Sequence, residues 1–280
     1  MNLKIISAIL ALALASLACG FDINLPERVN PGPDMEESIT VPAPKSGETR
    51  LTISFGAGAL NLSPGAENLV DGTAVYNIPE LKPEINSGDG SVEIKQGDFK
   101  NIINFNDIKN VWDLKLGETP LDLTVNAGAY NGNYELGGLS LKSLTVRDGA
   151  SKVDLSFSEP NREKMSVLRY ETGASNVTLS GLANANFSTL IFSGGAGDYK
   201  LDFSGKLTTD GTVNVEAGAG DVQLVIPKGV NAKVTVESAL VSVNLSSNWS
   251  QSGNTYTQNG DGPALTIIVK MAAGSLTITD

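Results

Sequence analysis

The chain has 280 residues, of which 20 are basic and 31 acidic, and it contains no histidine. A net charge of −11 argues against nucleic acid or an anionic membrane surface as partner, because both need basic patches. Without histidine, Ser-His-Asp, Cys-His and His-bearing zinc arrangements are impossible, and a single cysteine excludes intrachain disulfides and multi-cysteine metal sites.

Residues 1–18 read as a targeting segment. Lys4 supplies a positive start, and Ile5 to Ala18 is almost wholly apolar yet too short to span a bilayer. Ser16-Leu17-Ala18-Cys19-Gly20 follows and looks like a bacterial lipoprotein box, with Ser16 and Leu17 inverted relative to the usual order. Ordinary signal cleavage is the competing reading. The position of the only cysteine favours lipidation at Cys19, which predicts an extracytoplasmic protein held to a membrane of a bacterial envelope by its lipid.

Residues 19–49 are rich in proline (Pro26, Pro31, Pro33, Pro42, Pro44) and polar groups, with acidic Asp34, Glu36 and Glu37. Such a stretch has little to bury and reads as an extended spacer. Ser38 to Val41 alternate polar and apolar, so this part of the spacer can lie along the body as a strand.

From Leu51 one phrase recurs: an alternating apolar stretch, a corner of small residues, and a second alternating stretch. Taking the corner Gly as position zero, the copies at Gly149, Gly173, Gly195 and Gly218 follow at intervals of 24, 22 and 23 residues. Position −5 holds Leu144, Leu168, Leu190 and Val213; position −3 holds Val146, Tyr170, Phe192 and Val215. Position +4 holds Val153, Val177, Tyr199 and Val222; position +6 holds Leu155, Leu179, Leu201 and Leu224. Earlier copies centre on Gly56 and Gly128, with a partial one on Gly88 (Ile85, Val92, Ile94). Later ones centre on Ala239 and Ala272.

Apolar residues two apart follow the strand period, and no segment has helical spacing of useful length. One copy cannot bury its own inward side chains, whereas stacked copies form a continuous core. The predicted fold is therefore all-β, a parallel β-solenoid of roughly 22-residue coils with Gly-Ala-Gly or Gly-Ala-Ser corners. An antiparallel sandwich with evenly spaced hairpins is the rival. On the solenoid reading Leu201 is buried between Leu179 and Leu224, while Lys152 and Asp154 point outward.

The stretch FGAGALNLSPGAENLVDGTAVYNIPELKP, starting at Phe55, resembles the N-terminal toast-rack domain of bacterial surface lipoproteins. NVWDLKL from Asn110 and PLDLTVNAGAY from Pro120 are similar to that family's continuation. GAGDVQLVIPKG, from Gly218, is similar to the C-terminal domain of Lia-type envelope-stress regulators and to adhesin-head domains. The resemblance implies a toast-rack-like β domain over 50–116, a repeat domain over 117–280, and a non-enzymatic cell-surface protein. It supplies no catalytic residues.

The remaining candidate sites are sparse. Asp198 and Asp221 both occupy position +3, so stacking would set them on one row, as paired carboxylates in a sugar-cleaving groove would be. The plainer reading is an exposed corner, since other copies carry Lys152 and Asn176 there. Gly194 to Asp198 has the wrong period for a calcium repeat. Gly56-Ala-Gly lacks the Lys-Ser/Thr of a phosphate loop. The polar insertion Ser246 to Gly262 carries Trp249 and Tyr256, which either contact a partner or cap the open end of the stack. No cofactor, metal or catalytic set is expected. The leading function is a lipid-anchored surface module for an unidentified protein or glycan, with a carbohydrate-binding or carbohydrate-cleaving β-helix as alternative.

Overall fold

The computed structural model describes residues 31–44, 49–98, 108–238, 240–246 and 249–280. The apolar leader, Cys19 and the start of the Pro-rich stretch lie outside the described residues. In chain order the strands open with β1 (Met35–Val41), β2 (Thr49–Pro64), β3 (Val70–Tyr76), β4 (Pro83–Gly88), β5 (Ser91–Gln96) and β6 (Asn110–Leu116). Five long strands follow: β7 (Leu121–Glu135), β8 (Leu141–Ser156), β9 (Met165–Ser180), β10 (Phe187–Asp202) and β11 (Gly211–Val225). The last are β12 (Asn231–Val236), β13 (Val241–Leu245), β14 (Ser250–Ser252), β15 (Thr255–Gln258) and β16 (Ala264–Thr279). The chain is all-β, and these strands form one sheet.

The long strands β2, β7, β8, β9, β10, β11 and β16 stack in that spatial order, each parallel to the next. The register is the one that the repeat spacing predicts. Leu155, Leu179, Leu201 and Leu224 share a row, as do Val146, Tyr170, Phe192 and Val215. Leu201 is fully buried between its row neighbours, and Lys152 and Asp154 are exposed.

Each long strand must bend. A straight 16-residue strand is about 50 Å long. Yet the connections that return the chain from the end of one strand to the start of the next, parallel one are short. They are 136–140, 157–164, 181–186 and 203–210, and such segments reach only ~20–30 Å. The bend falls at the Gly corner, and both arms of the strand bury alternate side chains, as in Met165–Ser180.

Corner glycines do two separate jobs. At position zero the need is for space. A β-carbon on Gly128, Gly173, Gly195 or Gly218 would lie 2.3–2.5 Å from the carbonyl oxygen of the corner glycine one strand below. At position +2 the need is also conformational: Gly58, Gly220 and Gly274 have φ of 132°, 127° and 128°, which side-chain-bearing residues rarely adopt, and a β-carbon there would lie 1.8–2.0 Å from a neighbouring strand's carbonyl oxygen.

The sheet is mixed, so the expectation of a parallel sheet throughout fails at both ends. At the N-terminal end β5 continues the first arm of β2 and β6 the second, both parallel. Beyond them pairing turns antiparallel, with β4 on β5, β3 on β6 and β1 on β3. The alternation at Ser38 to Val41 does lay a strand along the body, burying Ile39 and Val41. The partial copy expected at Gly88 is misplaced. Gly88 ends β4 at a tight hairpin turn, and Val92 and Ile94 pair with Leu51 and Ile53 on the first arm.

At the C-terminal end the spatial order departs from the chain order. The final strand β16 inserts between β11 and the strands that precede it in sequence. β12 then pairs with its first arm and β13 with its second. The insertion is what makes this possible, because it carries the chain round the end as the β14–β15 hairpin, antiparallel on β12.

Corner stacking makes a direct prediction. Gly173→Ala, forced against the Gly149 carbonyl, is expected to cost ~1–3 kcal/mol. Gly88→Ala, whose nearest neighbour would be Ser91 Oγ at 3.4 Å, should be near neutral. Equal melting temperatures for the two variants would refute the close approach of the corners.

Candidate functional site

Stacking turns each position of the repeat into a row along the body. Position −2 gives an outward row of Ser54, Asn126, Arg147, Glu171, Ser193, Glu216 and Lys270. Two open hollows lie on it. One, of about 590 Å³, is bordered by Lys95, Asp98, Arg147 and Asp148; the other, of about 660 Å³, by Glu171, Glu216, Glu237 and Lys270. Between them Glu171 accepts from Arg147 Nε at 2.8 Å and Arg169 Nη1 at 3.1 Å. Burial alone would raise the Glu171 pKa, but the two arginines outweigh it and hold the carboxyl below its ordinary value. Exposed pairs like these contribute about 0–1 kcal/mol each, so they shape the groove more than they stabilise the fold.

Behind this groove, position −1 turns to the inside of the corner, and its row is Phe55, Ala127, Asp148, Thr172, Gly194, Ala217 and Met271. Asp148 is the acid in a row of otherwise small or apolar groups and one hydroxyl. Its carboxylate collects donors from the two flanking strands, β7 and β9. Tyr170 donates at 2.7 Å, Tyr130 at 3.3 Å, Ser175 at 3.5 Å, and Thr172 also donates. Tyr134 donates to the Tyr130 oxygen at 3.0 Å. Burial, reinforced by the neighbouring Tyr170 and Asp148, pushes the Tyr130 pKa well up; burial and Asp148 do the same to Tyr170. Both phenols are therefore donors at any physiological pH. One hydroxyl is left out: Tyr199, whose ring occupies the space that a Gly194 side chain would fill, has a buried hydroxyl with no partner. Sequence reasoning did not single out Asp148. The available signal was its position, an acid where other copies carry Phe, Ala, Gly or Met.

The residues expected from sequence fall in several places. Cys19 lies outside the described residues. Asp198 and Asp221 do stand side by side on the +3 row, with Lys152 and Asn176. Both are exposed, and with Lys152, Asp154 and Lys200 they border an open hollow of about 420 Å³. Tyr256 is buried on β15, its hydroxyl accepting from Gln251 Nε2 at 3.4 Å. Trp249 is half-buried and packs against the core. That burial is the behaviour expected of a cap. Among the described residues, no group of three or more Asp, Glu, Cys or His could hold a metal ion. No helix there is long and apolar enough to cross a membrane.

A family model described as the N-terminal domain of toast_rack, DUF2154, matches residues 30–180, more than half of the chain. The chain belongs to this family. The match spans β1 to β9, from the N-terminal cap through the residues that ring Asp148. Among solved structures, a "putative cell adhesion protein" from Clostridium sporogenes aligns with a TM-score of 0.51 at 23% identity. It covers 88% of this chain and 99% of that one, and the two share a fold. More distant are a "putative adhesin" from Bacteroides fragilis (TM-score 0.40, 11% identity, 88% and 97% covered) and a "putative lipid binding protein" from Parabacteroides distasonis (0.41, 9%, 91% and 100%). No protein among the curated sequences matches this toast_rack chain.

The Asp148 cluster separates two tyrosines that look alike by burial. Tyr170→Phe removes a donor to a carboxylate and is expected to cost ~1.5–3 kcal/mol. Tyr199→Phe removes a hydroxyl that nothing engages and should leave the melting temperature unchanged or raise it. The opposite ranking would refute the network.

Glu135 supplies a pH prediction. Burial would raise its pKa, but Ser156 Oγ at 2.5 Å, Ser158 Oγ at 2.9 Å and the N–H groups of Gly137 and Ser158 prevail and lower it. A depressed carboxylate stabilises the fold fully above its ordinary value of 4.5, and that stability is lost as pH falls below it. Glu135→Gln should therefore lower the melting temperature at pH 7 and narrow the gap to wild type as the pH falls below 4. A gap that is constant with pH would refute this.

Proposed function

We propose that this toast_rack chain is a short β-solenoid that acts as a non-enzymatic, lipid-anchored interaction module on the outside of a bacterial cell. The observation that carries the reading is the uninterrupted parallel ladder from β2 to β16. It turns a repeat into a stiff body whose outer face bears a row of polar and charged side chains with two open hollows. The neighbour of shared fold, described as a "putative cell adhesion protein", supports the same class of role. The groove, with Arg147, Glu171, Glu216 and Lys270 along one line, offers both signs of charge at the strand spacing of ~4.8 Å. That suits a polar, extended partner. A glycan-binding β-helix would present aromatic platforms, whereas the exposed large apolar residues among those described are Ile85, Leu240 and Leu245, all aliphatic.

Anchoring rests on Cys19 and surface presentation rests on the anchor, so one experiment addresses both. Cells expressing the full chain should carry it in the membrane fraction, accessible to added protease. Cys19→Ser should release it to the soluble fraction. Wild type that is soluble with an unmodified Cys19 would overturn the anchor, and turnover of an envelope glycan by the purified protein would overturn the non-enzymatic reading.

A further inference from the structure

Edges of β-sheets present unpaired backbone N–H and C=O groups, and proteins guard them with charges, proline, shortness or covering elements. The ladder has two such edges at each end. At the N-terminal end, β4 carries Pro83 and Glu84, and β1 carries Glu36 and Glu37. At the C-terminal end the first arm finishes on β14, only three residues long. The second arm finishes on β13, whose sequence VSVNL has neither charge nor proline. Among the described residues β13 pairs with β16 alone. Its Leu245 is 37% exposed, and Leu240, just ahead of it, is 75% exposed.

The hydrogen bonds fix which way this edge faces. Ser246 N–H donates to the Ile278 carbonyl at 3.0 Å, and Leu245 is paired with Ile278. Residues 242, 244 and 246 therefore turn their backbone groups toward β16, while Val241, Val243 and Leu245 turn theirs away from it.

We propose that this edge pairs, antiparallel, with β13 of a second copy of the chain, about a two-fold axis at Val243. Two observations select a second copy. First, the strand reads apolar-polar-apolar-polar-apolar in both directions. Two-fold pairing sets Val241 opposite Leu245, Ser242 opposite Asn244, and Val243 opposite itself, so that like meets like on each face. Val243, with outward N–H and C=O, then sits at a hydrogen-bonded position and exchanges two bonds with its counterpart. Second, the chain carries a net charge of −11, so its copies repel wherever carboxylates approach. The guarded edges β1 and β4 would bring glutamates together, whereas β13 brings no charge at all. A five-residue edge is smaller than a standard interface, so the association is concentration-dependent.

Sedimentation velocity of the purified full chain, from micromolar to millimolar, tests this pairing. The mass should rise from one chain toward two. Ser242 and Asn244 are exposed, so charges there leave the fold and its melting temperature unchanged. The double variant Ser242→Lys/Asn244→Lys sets lysine against lysine across the axis and should stay single at every concentration. Ser242→Lys/Asn244→Glu sets lysine against glutamate and should restore pairing. Val243→Pro, which removes an outward N–H without touching the β16 ladder, should also abolish it. A wild type that stays single at millimolar concentration overturns the proposal. So does a double-lysine variant that associates unchanged, or a lysine–glutamate variant that fails to recover.

Discussion

At Gly128, Gly173, Gly195 and Gly218 the carbonyl oxygen of the corner glycine one strand below sits where a β-carbon would be, and the close layering of the central strands depends on that contact. It lets a bent strand lie directly on the one below at normal interstrand distance. Both arms then pair at once, and every position of the repeat falls into a row. The apolar rows supply the driving force through burial. The corner row sets the register in which that burial happens. A slip of one residue would move every buried side chain to the outside, and it would also drive a side-chain-bearing residue into a backbone oxygen.

A parallel stack has no natural end, and the two ends of this one are closed differently. The N-terminal end splits its last layer between β5 and β6 and then turns to antiparallel pairing, with the strand of the Pro-rich stretch outermost on one arm. Ion pairs from Lys82 to Glu37 and Lys109 to Asp34 add to that seam. The C-terminal end is closed by insertion of β16 inside β12 and β13, with a hairpin over one arm only. This asymmetry, one arm covered and the other bare, gives the surface its directional character.

Within the stack the Asp148 cluster sets polar groups where apolar ones would pack more simply. A half-buried carboxylate is tolerable only when its oxygens are engaged. Here hydroxyls from the strands on either side converge on it, tying β7, β8 and β9 together at the corner. The cluster lies directly behind the outward groove that Asp148 itself helps to border. Rigidity at that point holds Arg147 and Glu171 in line.

The local pattern determined most of the central body. Apolar residues two apart on either side of a small corner, repeated every 21 to 24 residues, allow only bent strands in parallel rows, and Leu201 lies where that spacing puts it. Absence of histidine and a lone cysteine likewise narrowed the chemistry before any coordinates. The pattern failed where non-local pairing overrides it. Val92 and Ile94 have the right spacing for either arm, and only β2 beside them decides which. The copies at Ala239 and Ala272 match the phrase equally well, so nothing local says that the later one goes inside. That order follows from the long insertion, which frees the chain to return. Asp148 reads as one more surface acid until stacking surrounds it with tyrosines from neighbouring strands. Those tyrosines are 18 to 22 residues away in sequence, and only the tertiary stack brings their hydroxyls within hydrogen-bond reach of the carboxylate.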